Sequence, residues 1–361
     1  MRTFKLGELF AGAGGLALGA INADIKSDTK IIHAWANDID SSTCETYRKN
    51  ICPEKPESVF CCDVRDLKFD TLEKIDALAF GFPCNDFSVV GKKKGLNGKY
   101  GLLYDFGIEA LKKFQPDWFI AENVRGLLSA NNGEAKRKIL TGFCNAGYKI
   151  FPHLYKFEEY GVPQTRHRII VVGIRNDIEK TFRPPSPKPY KDKNISSRNA
   201  LENPPILCET ANHEKTKQSP EVIERLKYIK PGQNAFNADI PPEFQLHVKS
   251  ATFSSIYRRL DPNKPAYTVT GSGGGGTHIY HYAEPRALTN RERARLQTFP
   301  DNFIFEGSKE NVRRQIGMAV PCAGAKVIFE AVLKTFEDTD YDSVPCNIIF
   351  ENEIDLFAEN F

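Results

Sequence analysis

The sequence predicts an α/β protein: an open, largely parallel sheet in its first half, with a second, smaller and less regular domain after it. Three observations carry this reading. Short apolar runs alternate with amphipathic stretches between residues 5 and 174, the pattern of strands joined by helical crossovers. The glycine-rich turn Phe10-Ala11-Gly12-Ala13-Gly14-Gly15-Leu16 follows the first apolar run directly. That places it at a strand's C-terminal edge, where open sheets bind ligands. After Arg183 the periodicity gives way to prolines at 184, 185, 187, 189, 204 and 205, mixed with Lys and Arg, as in a linker leaving a sheet domain.

Taken in order, residues 5–10 read as a buried strand, with a helix from about Leu16. Residues 31–37 form a second strand ending in Asp38-Ile39-Asp40, and Ser41 and Ser42 are the expected N-caps of the next helix. Residues 77–80 are a short strand stopping at Gly81-Phe82-Pro83, residues 102–114 a helix closed by Pro116, and residues 118–121 another strand. The uninterrupted apolar run 169–174 suits a strand covered on both faces. Residues 206–285 are irregular and contain a glycine run from 271 to 276. Residues 288–296 are helical, and Thr289 with Glu292 three positions on is a capping box. The helical pattern returns over 311–336 and is expected to pack back on the first domain. The division expected is 1–180 plus about 311–340 for the sheet domain, 181–310 for the second domain, and an acidic, apolar tail over 341–361 with no usable motif.

With 361 residues, 26% charged, 41% hydrophobic and a net charge of +3, the chain has room for one large and one smaller domain. The mild basic excess removes an objection to a nucleic-acid partner without proving one. Nine cysteines, an odd number with no CxxC pair, suit a reduced chain in the cytoplasm. No apolar run is read as spanning a bilayer, and the first residues lead straight into a strand, so neither membrane nor signal peptide is expected.

The glycine turn alone fits a dinucleotide, AdoMet or a plain tight turn. Asp38 and Asp63 end the next two strand regions, where a carboxylate either binds ribose hydroxyls or caps a helix. The sharper signal is Gly81-Phe82-Pro83-Cys84-Asn85-Asp86-Phe87-Ser88. A cysteine after a proline at a strand's end sits on a ligand-facing loop whose φ angle is fixed. Glu122-Asn123-Val124 ends the following strand on the same rim, where a carboxyl group can act as a general acid. In Gln164-Thr165-Arg166-His167-Arg168, alternation along an extended segment puts Arg166 and Arg168 on one face. Each has a plain alternative, a core thiol, a surface charge or a solvated edge; together and in order on one rim they are hard to dismiss.

These motifs closely resemble the cytosine-C5 methyltransferase family, over residues 4–336. Two more join them: Arg286 to Pro300, similar to the family's helix that organises target recognition, and Arg314-Gln315-Ile316-Gly317-Met318-Ala319-Val320-Pro321, similar to its last motif. The resemblance implies an AdoMet-dependent methyltransferase (Rossmann-like) open sheet with a smaller target-recognition domain. It implies Cys84 as nucleophile on the Pro83 loop, Glu122 and Asn123 as the acidic motif, and Arg166 and Arg168 as the paired arginines. It implies a pocket for S-adenosyl-L-methionine, with S-adenosyl-L-homocysteine as product, made by Phe10, Ala11, Gly12, Gly14, Gly15, Leu16, Val64, Phe82, Leu103, Met318 and Ala319. In it Asp38 meets the ribose, Ile39 packs on the adenine and Asp63 meets the adenine amino group. Double-stranded DNA is the implied partner, touched by Asn85, Ser88 and Thr268.

Arg258 and Arg259, with Arg183, Lys188, Lys191 and Lys193, are candidate phosphate contacts. The run 271–276 either lets backbone approach DNA or is a flexible loop. His278 and His281 have only a faint metal spacing, so no metal is expected. Three departures from the family pattern stand out: Asn85 for a usual Gln, Lys99-Tyr100-Gly101 for an Arg-Gly pair, and Met318 for an Asn. The rival readings are a tRNA cytosine methyltransferase on the same scaffold, a catalytically silent DNA-binding relative, and an NAD-dependent oxidoreductase resting on the glycine turn alone. By analogy the chain is a stand-alone monomer of the bacterial restriction-modification type, with a cognate endonuclease acting separately.

Overall fold

A computed structural model describes residues 2–82, 103–246, 254–271, 273 and 276–350. Its strands are β1 Thr3–Leu9, β2 Lys30–Asp38, β3 Val59–Cys61, β4 Ala77–Gly81, β5 Trp118–Val124, β6 Tyr148–Lys156 and β7 His167–Arg175. The α-helices among the described residues are α1 Gly15–Ile21, α2 Ser41–Ile51, α3 Tyr104–Phe114, α4 Glu134–Asn145, α5 Ser197–Glu202, α6 Pro220–Tyr228, α7 Asn290–Leu296, α8 Lys309–Met318 and α9 Cys322–Phe336. Two compact units divide the chain. The first runs up to Lys156, from His167 to Pro189 and from Ala325 onward; the second holds Phe157–Arg166 and Tyr190–Gly324.

In the first unit the strands form one sheet in the order β3-β2-β1-β4-β5-β7-β6. The first five run parallel, while β7 is antiparallel to both β5 and β6. Alternation along β5 explains the two layers on the sheet. Trp118 meets Phe4 and Phe329 of α9 edge to face, and Phe119 on the other side meets Phe143 of α4. The strand ends are level: Leu9 lies opposite Phe80, and Gly81 opposite Glu122. One rim therefore carries the glycine turn, Gly81-Phe82 and the 122–124 segment.

The differences from the sequence reading have physical causes. The N-cap of α2 is Asp40, whose carboxylate accepts from the Thr43 amide, not Ser41 or Ser42. β6 carries Pro152, which hides a strand pattern but is tolerated because β6 is the sheet edge. β3 is too short to show a period. Residues 311–324, expected with the sheet domain, belong to the second unit, where Gln297 donates to the carbonyls of Ile316 and Ala319. The segment Lys309–Phe336 is long and apolar enough by composition to cross a membrane, against the expectation that no run is. It is two helices, parted at Ala319–Pro321, and 72% of its apolar window is buried in the protein. Residues 183–189 of the linker and 341–350 of the tail also belong to the first unit: Val344 donates to the Pro184 carbonyl and Ser186 to that of Asp342.

The second unit has its own small core of Leu226, Ile229, Ile240, Tyr257, Tyr280 and Ala287. The capping box at α7 is formed in both directions between Thr289 and Glu292. The absence of side chains lets Gly271 and Gly273 lie close to α8. A Cβ on Gly317 would stand 2.0 Å from the Gly271 amide nitrogen, and one on Gly273 would stand 2.4 Å from Nε of Arg313. Those two run glycines serve helix contact, a reading the sequence did not offer.

Candidate active site

The glycine turn owes its shape to positive φ angles at Phe10, Gly12 and Gly14. Two bonds from the end of β2 hold it. The Ala11 amide donates to the Asn37 carbonyl at 2.9 Å, and the Gly12 amide to Oδ2 of Asp38 at 2.9 Å. The other Asp38 oxygen accepts from the Asp40 amide, and burial pushes its carboxyl group above the usual range. A Cβ on Gly12 would meet nothing within 4 Å, so this backbone faces open space, as a cradle for a nucleotide-like group must. Gly15 and Leu16 are buried in the first turn of α1. Ile39 is 68% exposed, an apolar face for a planar ring. The Cys62 amide donates to the Asp38 carbonyl, which brings the Asp63-Val64 turn beside Asp38. Asp63 caps that turn and its carboxylate binds Arg65, so here the capping alternative is realised. Val64 and Phe82 are buried and Leu103 half-buried, all in the same core cluster.

On the neighbouring strand ends, Oε1 of Glu122 pairs with Nε of Arg168 at 2.8 Å, and both side chains are only 12–14% exposed. The pair forms because β5 and β7 run antiparallel, with Val124 opposite Arg168 and Glu122 opposite Ile170. Asn123 is buried, and its side-chain amide donates to the Phe82 carbonyl at 3.3 Å. This braces the residue directly before Pro83. Pro83, Cys84, Asn85, Ser88 and Tyr100 lie outside the described residues.

Arg166 falls in the second unit, almost fully buried, and donates to the carbonyls of Val269 and Gly317, both at 3.0 Å. β7 begins at His167, so Arg166 belongs to the segment before it. Beside it Gln164, whose role the sequence reading left unassigned, accepts from the Val269 amide and donates to the Leu296 carbonyl. Arg259, expected to touch phosphate, is instead buried and donates to the carbonyls of Leu226, Ile229, His281, Tyr282 and Glu284. Arg258 stacks over the Tyr267 ring at 4.5 Å, and the Thr268 hydroxyl donates to the Thr165 carbonyl. Met318 ends α8 with 65% of its surface exposed, followed by buried Ala319. His281 accepts from the amides of Ala283 and Glu284 and so shapes a turn.

The sequence reading missed Glu8, a fully buried acid in β1, which accepts from the Tyr47 hydroxyl at 2.7 Å. Its signal was available: one carboxylate inside an apolar strand just before the glycine turn.

A mostly parallel sheet closed by an antiparallel β7 between β5 and β6, with a glycine turn braced by an acid at the end of β2, defines the AdoMet-dependent methyltransferase class. Comparison with known proteins narrows this. The model of the C-5 cytosine-specific DNA methylase family matches residues 4–334, and the chain belongs to that family. It is 56% identical to the Type II methyltransferase M.BbvI of Brevibacillus brevis, over 97% of this chain and 96% of that one. It is 30% identical to the DNA (cytosine-5-)-methyltransferase M.ApeKI of Aeropyrum pernix, over 93% and 100%. Among solved structures, the Entamoeba histolytica methyltransferase EhMeth superposes with a TM-score of 0.63 at 15% identity, over 94% and 99%. The protein is thus a DNA (cytosine-5-)-methyltransferase of the restriction-modification type.

Proposed function

We propose that the chain methylates carbon 5 of cytosine in duplex DNA through a covalent bond between Cys84 and carbon 6 of a base turned out of the helix. The observation that carries this is the rim pairing: Glu122 held by Arg168, beside Asn123 bonded to the carbonyl next to Pro83-Cys84. Carbon 5 of cytosine is a poor nucleophile inside an aromatic ring. Attack of the Cys84 thiolate on carbon 6 breaks the aromaticity and makes carbon 5 enamine-like, splitting one hard step into easier ones. Positive charge near the thiol raises its thiolate fraction at neutral pH. Glu122, oriented by Arg168, shares a proton with ring N3 and stabilises the charge that builds there. Bound AdoMet supplies the electrophilic methyl group that carbon 5 takes up. A base then removes the carbon 5 proton, and Cys84 leaves as thiolate.

The open backbone at Gly12, the braced Asp38 and the exposed Ile39 fit the glycine turn and its neighbours to AdoMet. The second unit reads the target sequence in this account, and its own core and irregular loops support that role. Base rotation costs a few kcal/mol, offset by contacts from that unit. The protein works as a monomer in the cytoplasm, beside a separate endonuclease; the relatives named Type II methyltransferases support that setting.

DNA carrying 5-fluorocytosine tests the covalent step, because fluorine cannot leave as a proton and the adduct stays trapped. With AdoMet present, the protein should form a complex with this DNA that survives denaturation, and Cys84→Ser should not. An adduct that persists in Cys84→Ser would refute the assignment.

A further inference from the structure

The described residues of the tail after α9 are bonded to the first unit at several points. The Tyr341 hydroxyl donates to the Arg183 carbonyl at 2.8 Å, and Val344 and Asp342 pair with Pro184 and Ser186. Asn347 then sits on the outer edge of β6. Its side-chain oxygen accepts from the Leu154 amide at 2.7 Å, and its nitrogen donates to the Leu154 carbonyl at 3.1 Å. One amide thus does what a neighbouring strand would do for a sheet edge. Leu154 lies opposite Ile169 on β7, and Ile169 lies opposite Asn123 on β5. A single register line therefore runs from Asn347 across three strands to the residue that braces Phe82. The next residue, Ile348, is buried in the main core cluster. It lines a small apolar cavity whose other walls include Phe82, Glu122, Asn123 and Leu140. Nζ of Lys136 on α4 lies 3.5 Å from the Ile349 carbonyl oxygen.

We propose that residues 341–350 are a positioning strap for the catalytic rim, in which Asn347 fixes the β6 edge and Ile348 closes the cavity behind Glu122 and Asn123. The strap rests on the proposed methyl-transfer reading only for its effect on rate. Its structural effect is independent of that reading. Groups that must be held to about half an ångström need support from behind, and an edge strand with a void beneath it supplies little. A strap also explains why isoleucine follows asparagine here: the amide pairs with the edge and the next side chain turns inward.

The test uses the full chain with Ile348→Ala, Asn347→Ala and the conservative Ile348→Val. Single-turnover methyl transfer to DNA should fall about tenfold in Ile348→Ala, with the AdoMet Kd within about twofold of wild type and Ile348→Val restoring most of the rate. Hydrogen exchange should rise about tenfold in the β5 peptide and stay unchanged in the β1 peptide. If Ile348→Ala does not fold, Asn347→Ala carries both readouts in the same direction. Unchanged exchange at β5, or a rate loss that only follows the folded fraction, would overturn the strap. Wild type that shows the exchange pattern but methylates no DNA would refute the methyl-transfer reading and leave the strap standing.

Discussion

Replacing Glu8 by Gln should make the protein more stable, and increasingly so as pH rises. The Glu8 carboxyl group is fully buried beneath the glycine turn, and that burial pushes its pKa from the usual 4.5 up to about 8. The Tyr47 hydroxyl and the Ala17 amide partly counter the shift. A folded-state pKa raised above the unfolded one means that the native state holds a proton the unfolded chain has lost. The resulting stability is complete below pH 4.5 and drains away as pH rises toward about 8. At about 1.4 kcal/mol per unit, the whole loss is on the order of 5 kcal/mol. His33, joined to Tyr47 at 3.2 Å, has the opposite sign: burial lowers it to about 4, so its contribution grows with pH. Comparing Glu8→Gln with wild type cancels the His33 effect, because both proteins keep it. Urea unfolding at pH 5, 6, 7 and 8 should show the variant gaining close to 1.4 kcal/mol per pH unit over wild type. Parallel pH profiles for the two proteins would refute the reasoning.

Three further outcomes follow from the geometry. Arg168→Met removes the guanidinium paired with Glu122 and should destabilise the protein by about 3 kcal/mol, most of it recovered when Glu122→Gln is added; a denaturation cycle on the four proteins measures the coupling. Either single change should lower methyl transfer at least 100-fold, roughly the effect of losing one preorganised charge. Arg259→Met removes bonds to five backbone carbonyls and should cost about 3 kcal/mol. Its DNA affinity should keep the same salt dependence, whereas loss of a phosphate contact would lower the slope by about 0.9. Gly317→Ala drives a methyl group into the Gly271 backbone and should destabilise the second unit by about 3 kcal/mol, seen as a lowered urea midpoint.

The sheet was legible because its inner strands are buried on both faces and read as apolar runs, as residues 77–80 and 169–174 do. The capping box at Thr289 and Glu292 was legible because its chemistry is local. What was hidden depends on contacts distant in sequence. The antiparallel insertion of β7 is set by pairing with both β5 and β6, and nothing within residues 167–175 encodes its direction. Basic side chains mislead in the same way. Arg259 looks like a phosphate contact, yet it is a buried clamp on carbonyl groups brought from far along the chain. Glu122 and Asn123 were found from their motif, but the partners that orient them, Arg168 and the Phe82 carbonyl, needed the fold.

The proposed function requires that Cys84 drive methyl transfer to cytosine in DNA. Wild-type protein and Cys84→Ser should each be incubated with radiolabelled AdoMet and unmethylated genomic DNA, and the DNA digested to nucleosides. The account predicts label in wild-type samples alone, recovered as 5-methylcytosine. Label in another base, equal label with Cys84→Ser, or none from folded wild type that binds AdoMet, would contradict it.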